Sequence, residues 1–117
     1  MSEKIISFPN GLPGFDDEQK FKLYQETSQE PLIFCLQSAS NEHIALSVVE
    51  PSVFGFNYDL SLTEEEIALL KLESKEDLTV LLIVYRGDGD QINANLNGPL
   101  LINTKELIGT QKVLRKL

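Results

Sequence analysis

The sequence predicts a small, mainly β fold: an antiparallel β-roll or partly open barrel with one short helix. Three observations carry this. Short apolar or alternating runs recur along the chain at fairly regular spacing. Turn residues separate them, as in "RGDGD" (Arg86 to Asp90) and "NGP" (Asn97 to Pro99). One segment alone, Leu62 to Leu72, carries the signals of a helix.

Each element has its own warrant. Ile5 to Phe8 reads as a first strand. Phe21 to Tyr24 alternates Phe, Lys, Leu, Tyr, and Pro31 to Leu36 is mostly apolar between polar flanks. Ile44, Leu46 and Val48 share one face of the run Ile44 to Val49. "TVLLIVY" (Thr79 to Tyr85) is rich in β-branched residues and is the strongest strand candidate. Gln91 to Leu96 alternates again, and Leu100 to Ile102 and Lys112 to Leu114 complete the set. The helix is marked by Thr63 as cap and Glu66 three residues later, the pattern of a capping box. Leu62 and Ile67 are spaced for a hydrophobic staple. Glu64, Glu65 and Glu66 lie at the positive end of the helix dipole, and Lys71 near the other end.

With 117 residues, no repeat and no Pro-, Gly- or Ser-rich linker, residues 1–117 are expected to form one domain. Hydrophobic residues make up 42% and charged residues 24%, an ordinary globular balance. The charge is less ordinary. Eighteen acids against ten bases give a formal charge of -8. Such a surface repels nucleic-acid phosphates and steers a basic protein partner. "MSEKIISF" lacks a long apolar stretch of the signal-peptide kind, and no apolar run approaches the roughly 20 residues of a membrane helix. A cytoplasmic protein is the expectation.

Chemical motifs are sparse. "SFPNGLPGFDD" (Ser7 to Asp17) has loop glycines but neither phosphate-binding spacing, and Asp16, Asp17 and Glu18 would repel phosphate. It reads as a turn between the first two strands, anchored on the core by Phe8 and Phe15. One cysteine, Cys35, and one histidine, His43, supply neither a disulfide framework nor a zinc site. "DGDQIN" (Asp88 to Asn93) puts Ile92 at the fifth position of a calcium loop and no glycine at the sixth. No cofactor or metal is implied. A small hydrolase or lyase using Cys35 or His43 is the enzymatic alternative, and a structural subunit of a larger assembly is another.

A family resemblance spans nearly the whole chain. "FPNGLPGF" (Phe8 to Phe15) resembles the opening of the flagellar assembly factor FliW family. "FCLQS" (Phe34 to Ser38) is similar to that family's strand ending in Leu-Gln-Ser. "EPSVFGFNYDL" (Glu50 to Leu60) resembles its Pro-x-x-Phe-x-x-x-Tyr segment through Pro51, Phe54 and Tyr58. "NANLNGPLLINTKELIGTQKVL" (Asn93 to Leu114) resembles its Asn-Leu-x-x-Pro and Gly-x-Gln segments. The resemblance implies a small β-roll or barrel, no enzyme activity, and two protein partners: flagellin, and the translational repressor CsrA. In that scheme the protein freed by flagellin export binds CsrA and relieves repression. The family continues past the Gly-x-Gln strand, whereas this chain stops at Leu117, so an edge strand is expected to be exposed or filled by another chain.

The candidate interface residues are Tyr58 and Asp59, with Phe56, the helix-start acids Glu64 and Glu65, and Asp16 and Asp17. Tyrosine is enriched at interface hot spots, and carboxylates suit a basic partner. Phe54 and Phe56 share strand parity, which would turn one of them to the core. Binding to CsrA could work by mimicry of RNA or from a surface beside the RNA site, the allosteric mode that the resemblance implies; the sequence itself does not choose between them.

Overall fold

The structure is a computed structural model that describes residues 3–12, 18–30, 32–55, 61–86 and 92–114. Eight strands and a short helix lie along these residues. They are β1 (Lys4–Ser7), β2 (Lys20–Gln25), β3 (Phe34–Ser38), β4 (Ala45–Val49), α1 (Glu64–Leu70), β5 (Leu78–Arg86), β6 (Ile92–Ala94), β7 (Leu100–Asn103) and β8 (Ile108–Gln111). Two 3-10 turns, Pro51–Phe54 and Lys75–Asp77, follow β4 and precede β5.

The expected mainly β fold with one short helix is what forms, and its barrel is closed. The hydrogen-bonded order β4-β3-β2-β1-β8-β7-β5 returns to β4 through a β4–β5 pairing. All neighbours are antiparallel except β1 and β8, which run parallel and meet at Ser7 and Ile108. There Ser7 N–H donates to the Leu107 carbonyl at 2.9 Å. β6 stands outside the ring and pairs with β5 alone.

β5 organises the closure because its two halves do different work. Leu78 to Leu81 pair with β7, and Leu82 to Val84 pair with β4 on the opposite edge. β6 and β7 share one edge of β5: Asn95 N–H donates to Ile83 O, and Thr104 N–H to Asp77 O. They are one strand path interrupted by Asn95 to Pro99, which lie opposite only Leu82 and Ile83. The interruption is not left bare. Beyond β8, Lys112 N–H donates to Pro99 O and Leu114 N–H to Asn97 O.

Inside the ring, Ile6, Phe8, Phe21, Leu36, Val48 and Leu81 are buried in one cluster with Leu100 and Ile102. Phe8 and Phe21 meet edge to face, centroids 5.6 Å apart at 86°. Phe8 thus anchors the core as expected, while Phe15 lies outside the described residues. On the outer face, Val49, Leu82 and Val84 form a second cluster with Ile33 and Ala94 packed against it. α1 buries Leu70 completely, and Ile67, the expected staple partner, stays 40% exposed.

Two local readings need correction. Pro51 to Phe54 is not extended. It is a 3-10 turn ended by Gly55 at φ 81°, and Phe54 is 39% exposed, so the strand-parity argument fails at Phe54, while Phe56 lies outside the described residues. Proline at the first turn position sets φ for a turn and has no N–H for a ladder. The last strand is Ile108–Gln111 rather than Lys112 to Leu114. Composition hid it, since glycine is poor in strands, although the family's Gly-x-Gln strand falls on Gly109 to Gln111. The lack of a side chain at Gly109 is required: a Cβ would come 2.7 Å from Phe8 Cε2.

Candidate protein-binding surface

The sequence candidates are spread over several segments. Glu64 and Glu65 occupy the first turn of α1 and are exposed. Phe56, Tyr58, Asp59, Asp16 and Asp17 lie outside the described residues. The helix start itself is fixed as the sequence reads. Thr63 Oγ1 accepts from Glu66 N at 3.1 Å, and Glu66 Oε1 accepts from Thr63 N at 2.8 Å. Glu66 has a second task. It forms an ion pair with Lys112, Nζ to Oε1 2.8 Å and to Oε2 3.0 Å, which ties α1 to the segment after β8. Burial raises the Glu66 pKa, but hydrogen bonds from Lys112 and Thr63 outweigh it and hold the carboxyl below its usual value.

The groups of the enzymatic alternative sit apart in character. Cys35 is 4% exposed on β3, opposite Tyr24 of β2. Hydrogen bonding to the Cys35 side chain, with burial and the nearby Glu26 and Glu3 carboxylates, pushes the Tyr24 phenol up to about 12. His43 is exposed in the turn before β4. A third polar group joins Glu18 to Ser38 and Ser40, whose hydroxyls both donate to Glu18 Oε2 and lower its pKa. Ser38 Oγ also accepts from Ser40 N and Asn41 N, so the cluster closes the β3–β4 turn. Among the described residues, no group of three or more His, Cys, Asp or Glu side chains could hold a metal ion. Nor is any described helix long and apolar enough to cross a membrane.

Among the described residues, two surface features have binding character. One is an open depression of about 510 Å³ beside the strand interruption, lined by Ile83, Tyr85, Ala94, Asn95, Leu96 and Asn97. Tyr85 is 58% and Leu96 49% exposed there. The other is a narrower cleft of about 120 Å³ between the loop after β2 and the Pro51–Phe54 turn. Leu32, Phe34 and Val53 line it with Ser52 and two carboxylates, Glu30 and Glu50. Sequence reasoning missed this cleft. Its signal is a repeated pattern: Glu30-Pro31-Leu32-Ile33-Phe34 and Glu50-Pro51-Ser52-Val53-Phe54 are both Glu-Pro-x-(Ile/Val)-Phe.

Comparison with known proteins bears on the whole chain. Residues 1–117 match the family described as FliW protein. The chain is 35% identical over 116 residues to flagellar assembly factor FliW 1 of Desulfotalea psychrophila, covering 97% of this chain and 82% of that relative. It is 38% identical over 122 residues to flagellar assembly factor FliW of Azoarcus sp., covering 98% and 83%. A solved crystal structure of a flagellar assembly factor FliW superposes with a TM-score of 0.85 at 27% identity, over 97% of this chain and 79% of that one. The four motifs, the barrel and these matches agree, and the chain belongs to the FliW family of flagellar assembly factors.

Proposed function

We propose that residues 1–117 act as one β unit that regulates flagellum assembly by binding proteins, without catalysis. The unit binds flagellin before export. Once freed, it binds CsrA and relieves repression of flagellin synthesis. The observation that carries this reading is the family match along the full chain. The -8 charge supports it, because an RNA-binding repressor presents basic surface to phosphates and the acidic field speeds such an encounter. Partner exchange then works by mass action: whichever complex forms withdraws the protein from the other. This reading places the protein in the cytoplasm.

The test is binding of the purified chain to purified flagellin and CsrA, each alone and then in competition. Binding to both with mutual exclusion is expected; failure to bind either one sinks the exchange scheme. Asp59→Lys is expected to weaken CsrA binding while the melting temperature stays unchanged, and an unchanged affinity removes Asp59 from the interface. Saturating RNA separates the two modes of antagonism. Loss of CsrA binding to zero supports mimicry, and a ternary complex supports a surface beside the RNA site. Cys35→Ala and His43→Ala are expected to keep partner binding.

A further inference from the structure

The cleft beside the Pro51–Phe54 turn has the build of a receptor for one long cationic side chain. Its floor is apolar, from Leu32, Phe34 and Val53, and its rim carries Glu30 and Glu50. About 120 Å³ holds about four groups of water size, which suits one unbranched side chain. Among the described residues the ion pair is Lys112–Glu66, and neither rim carboxylate is matched by a described cation. Val53 of the floor is 37% exposed and the next residue, Phe54, is 39% exposed, which leaves apolar surface for a neighbour of the incoming side chain.

Both walls are held before anything binds. The loop wall is tied at its neck: Glu26 N and Thr27 N donate to Ile33 O, and Ile33 N donates to Thr27 Oγ1 at 2.9 Å. Gln25 Nε2 donates to Thr27 O at 2.6 Å. The other wall is tied by Val53 N to Glu50 O at 3.1 Å and Gly55 N to Ser52 O at 3.0 Å, with Gly55 in the left-handed region. Fixed walls spare a partner the cost of ordering them.

We propose that this cleft docks an arginine or lysine of a protein partner. The methylene stem lies on Leu32, Phe34 and Val53, and the charged head is held by Glu30 and Glu50 through charge-assisted hydrogen bonds. The -8 charge favours a basic partner over a second copy of this chain. That the occupant belongs to a protein rests on the proposed function; the chemistry of the cleft does not.

The test is an amide-shift titration of the full chain with the acetylated, amidated tripeptide Leu-Arg-Leu, and with Leu-Glu-Leu as control. Saturable shifts at Leu32, Phe34, Ser52 and Val53 are expected from Leu-Arg-Leu alone, weakening as salt rises. The shape-preserving double variant Glu30→Gln/Glu50→Gln is expected to weaken binding about tenfold with an unchanged melting curve. No saturable shift at these amides, an equal response to Leu-Glu-Leu, or full-strength binding by the double variant overturns the proposal. Concentration-dependent shifts of the same amides without peptide assign the cleft to a second copy and also overturn it. The double variant is then compared with wild type on flagellin and CsrA, against Glu73→Gln/Glu76→Gln as an equal loss of charge elsewhere. A loss of affinity confined to the cleft variant supports docking there, and equal binding by all three proteins overturns it. If wild type binds neither protein, the proposed function fails and the tripeptide titration still decides the cleft.

Discussion

Asn103 is 1% exposed and uses both ends of its amide. Its Nδ2 donates to Leu70 O at 2.8 Å and Lys71 O at 3.2 Å, closing the C-terminal end of α1. Its Oδ1 accepts from Lys105 N and Glu106 N, shaping the β7–β8 turn. Asn103→Ala leaves buried backbone groups unpaired and is expected to cost about 2–4 kcal/mol in urea unfolding. A loss under about 0.5 kcal/mol would show that these groups find other partners. Gly109 is the complementary case, where a side chain is excluded. Phe8 cannot give way, since it is fully buried against Phe21. Gly109→Ala is expected to cost about 1–3 kcal/mol by overpacking. Combined with Phe8→Leu, the alanine is expected to cost less than it does alone, and strict additivity would contradict the contact. Neither residue was legible in the sequence. The demands on them come from α1 and Phe8, far away in the chain.

At the scale of elements, local chemistry was legible and shared chemistry was not. The α1 cap could be read because Thr63 and Glu66 satisfy each other within one turn. That Glu66 also holds Lys112 could not, because the pair joins α1 to a segment placed only by the barrel. Strands with alternating or β-branched residues, such as β5 and β2, stood out in the sequence. β8 did not stand out by composition, because its Gly109 is dictated by the core; only the family's Gly-x-Gln strand motif marked it. The Pro51–Phe54 turn was missed because Val53 and Phe54 have strand-like composition while Pro51 sets the local geometry. Of the candidate surface, Glu64 and Glu65 were foreseen as exposed acids. The Glu30–Glu50 cleft was not, because its two walls meet only when β3 and β4 pair. The Glu66 clamp has a definite pH signature. Its folded pKa lies below the unfolded value, so its contribution is full above the ordinary carboxylate range and is lost as pH falls through the folded pKa. Glu66→Gln is expected to cost about 1 kcal/mol at pH 7 and to show a shallower loss of stability on acidification below about pH 4.5. Parallel acid limbs for the two proteins would show that Glu66 does not titrate in the clamp.

For the molecule as a whole, charge and closure matter most. A formal charge of -8 on a small barrel repels itself, and salt screens that repulsion. The melting temperature is expected to rise as salt is raised from about 0.01 to 0.15 M. A fall would mean that local pairs such as Glu66–Lys112 dominate the electrostatics. Closure is narrower than the rest of the wall. β2 and β3 are in register over five residue pairs, Phe21 to Gln25 against Ser38 to Phe34, whereas β1 and β8 share the single pair Ser7 and Ile108. That pair joins positions 101 residues apart (108 − 7). During synthesis at about 5–20 residues per second, β1 therefore waits roughly 5–20 s before its second neighbour exists. Through that interval the nascent chain presents an unpaired strand edge, and a cell making this protein has to keep that edge from other chains until Ile108 has been added.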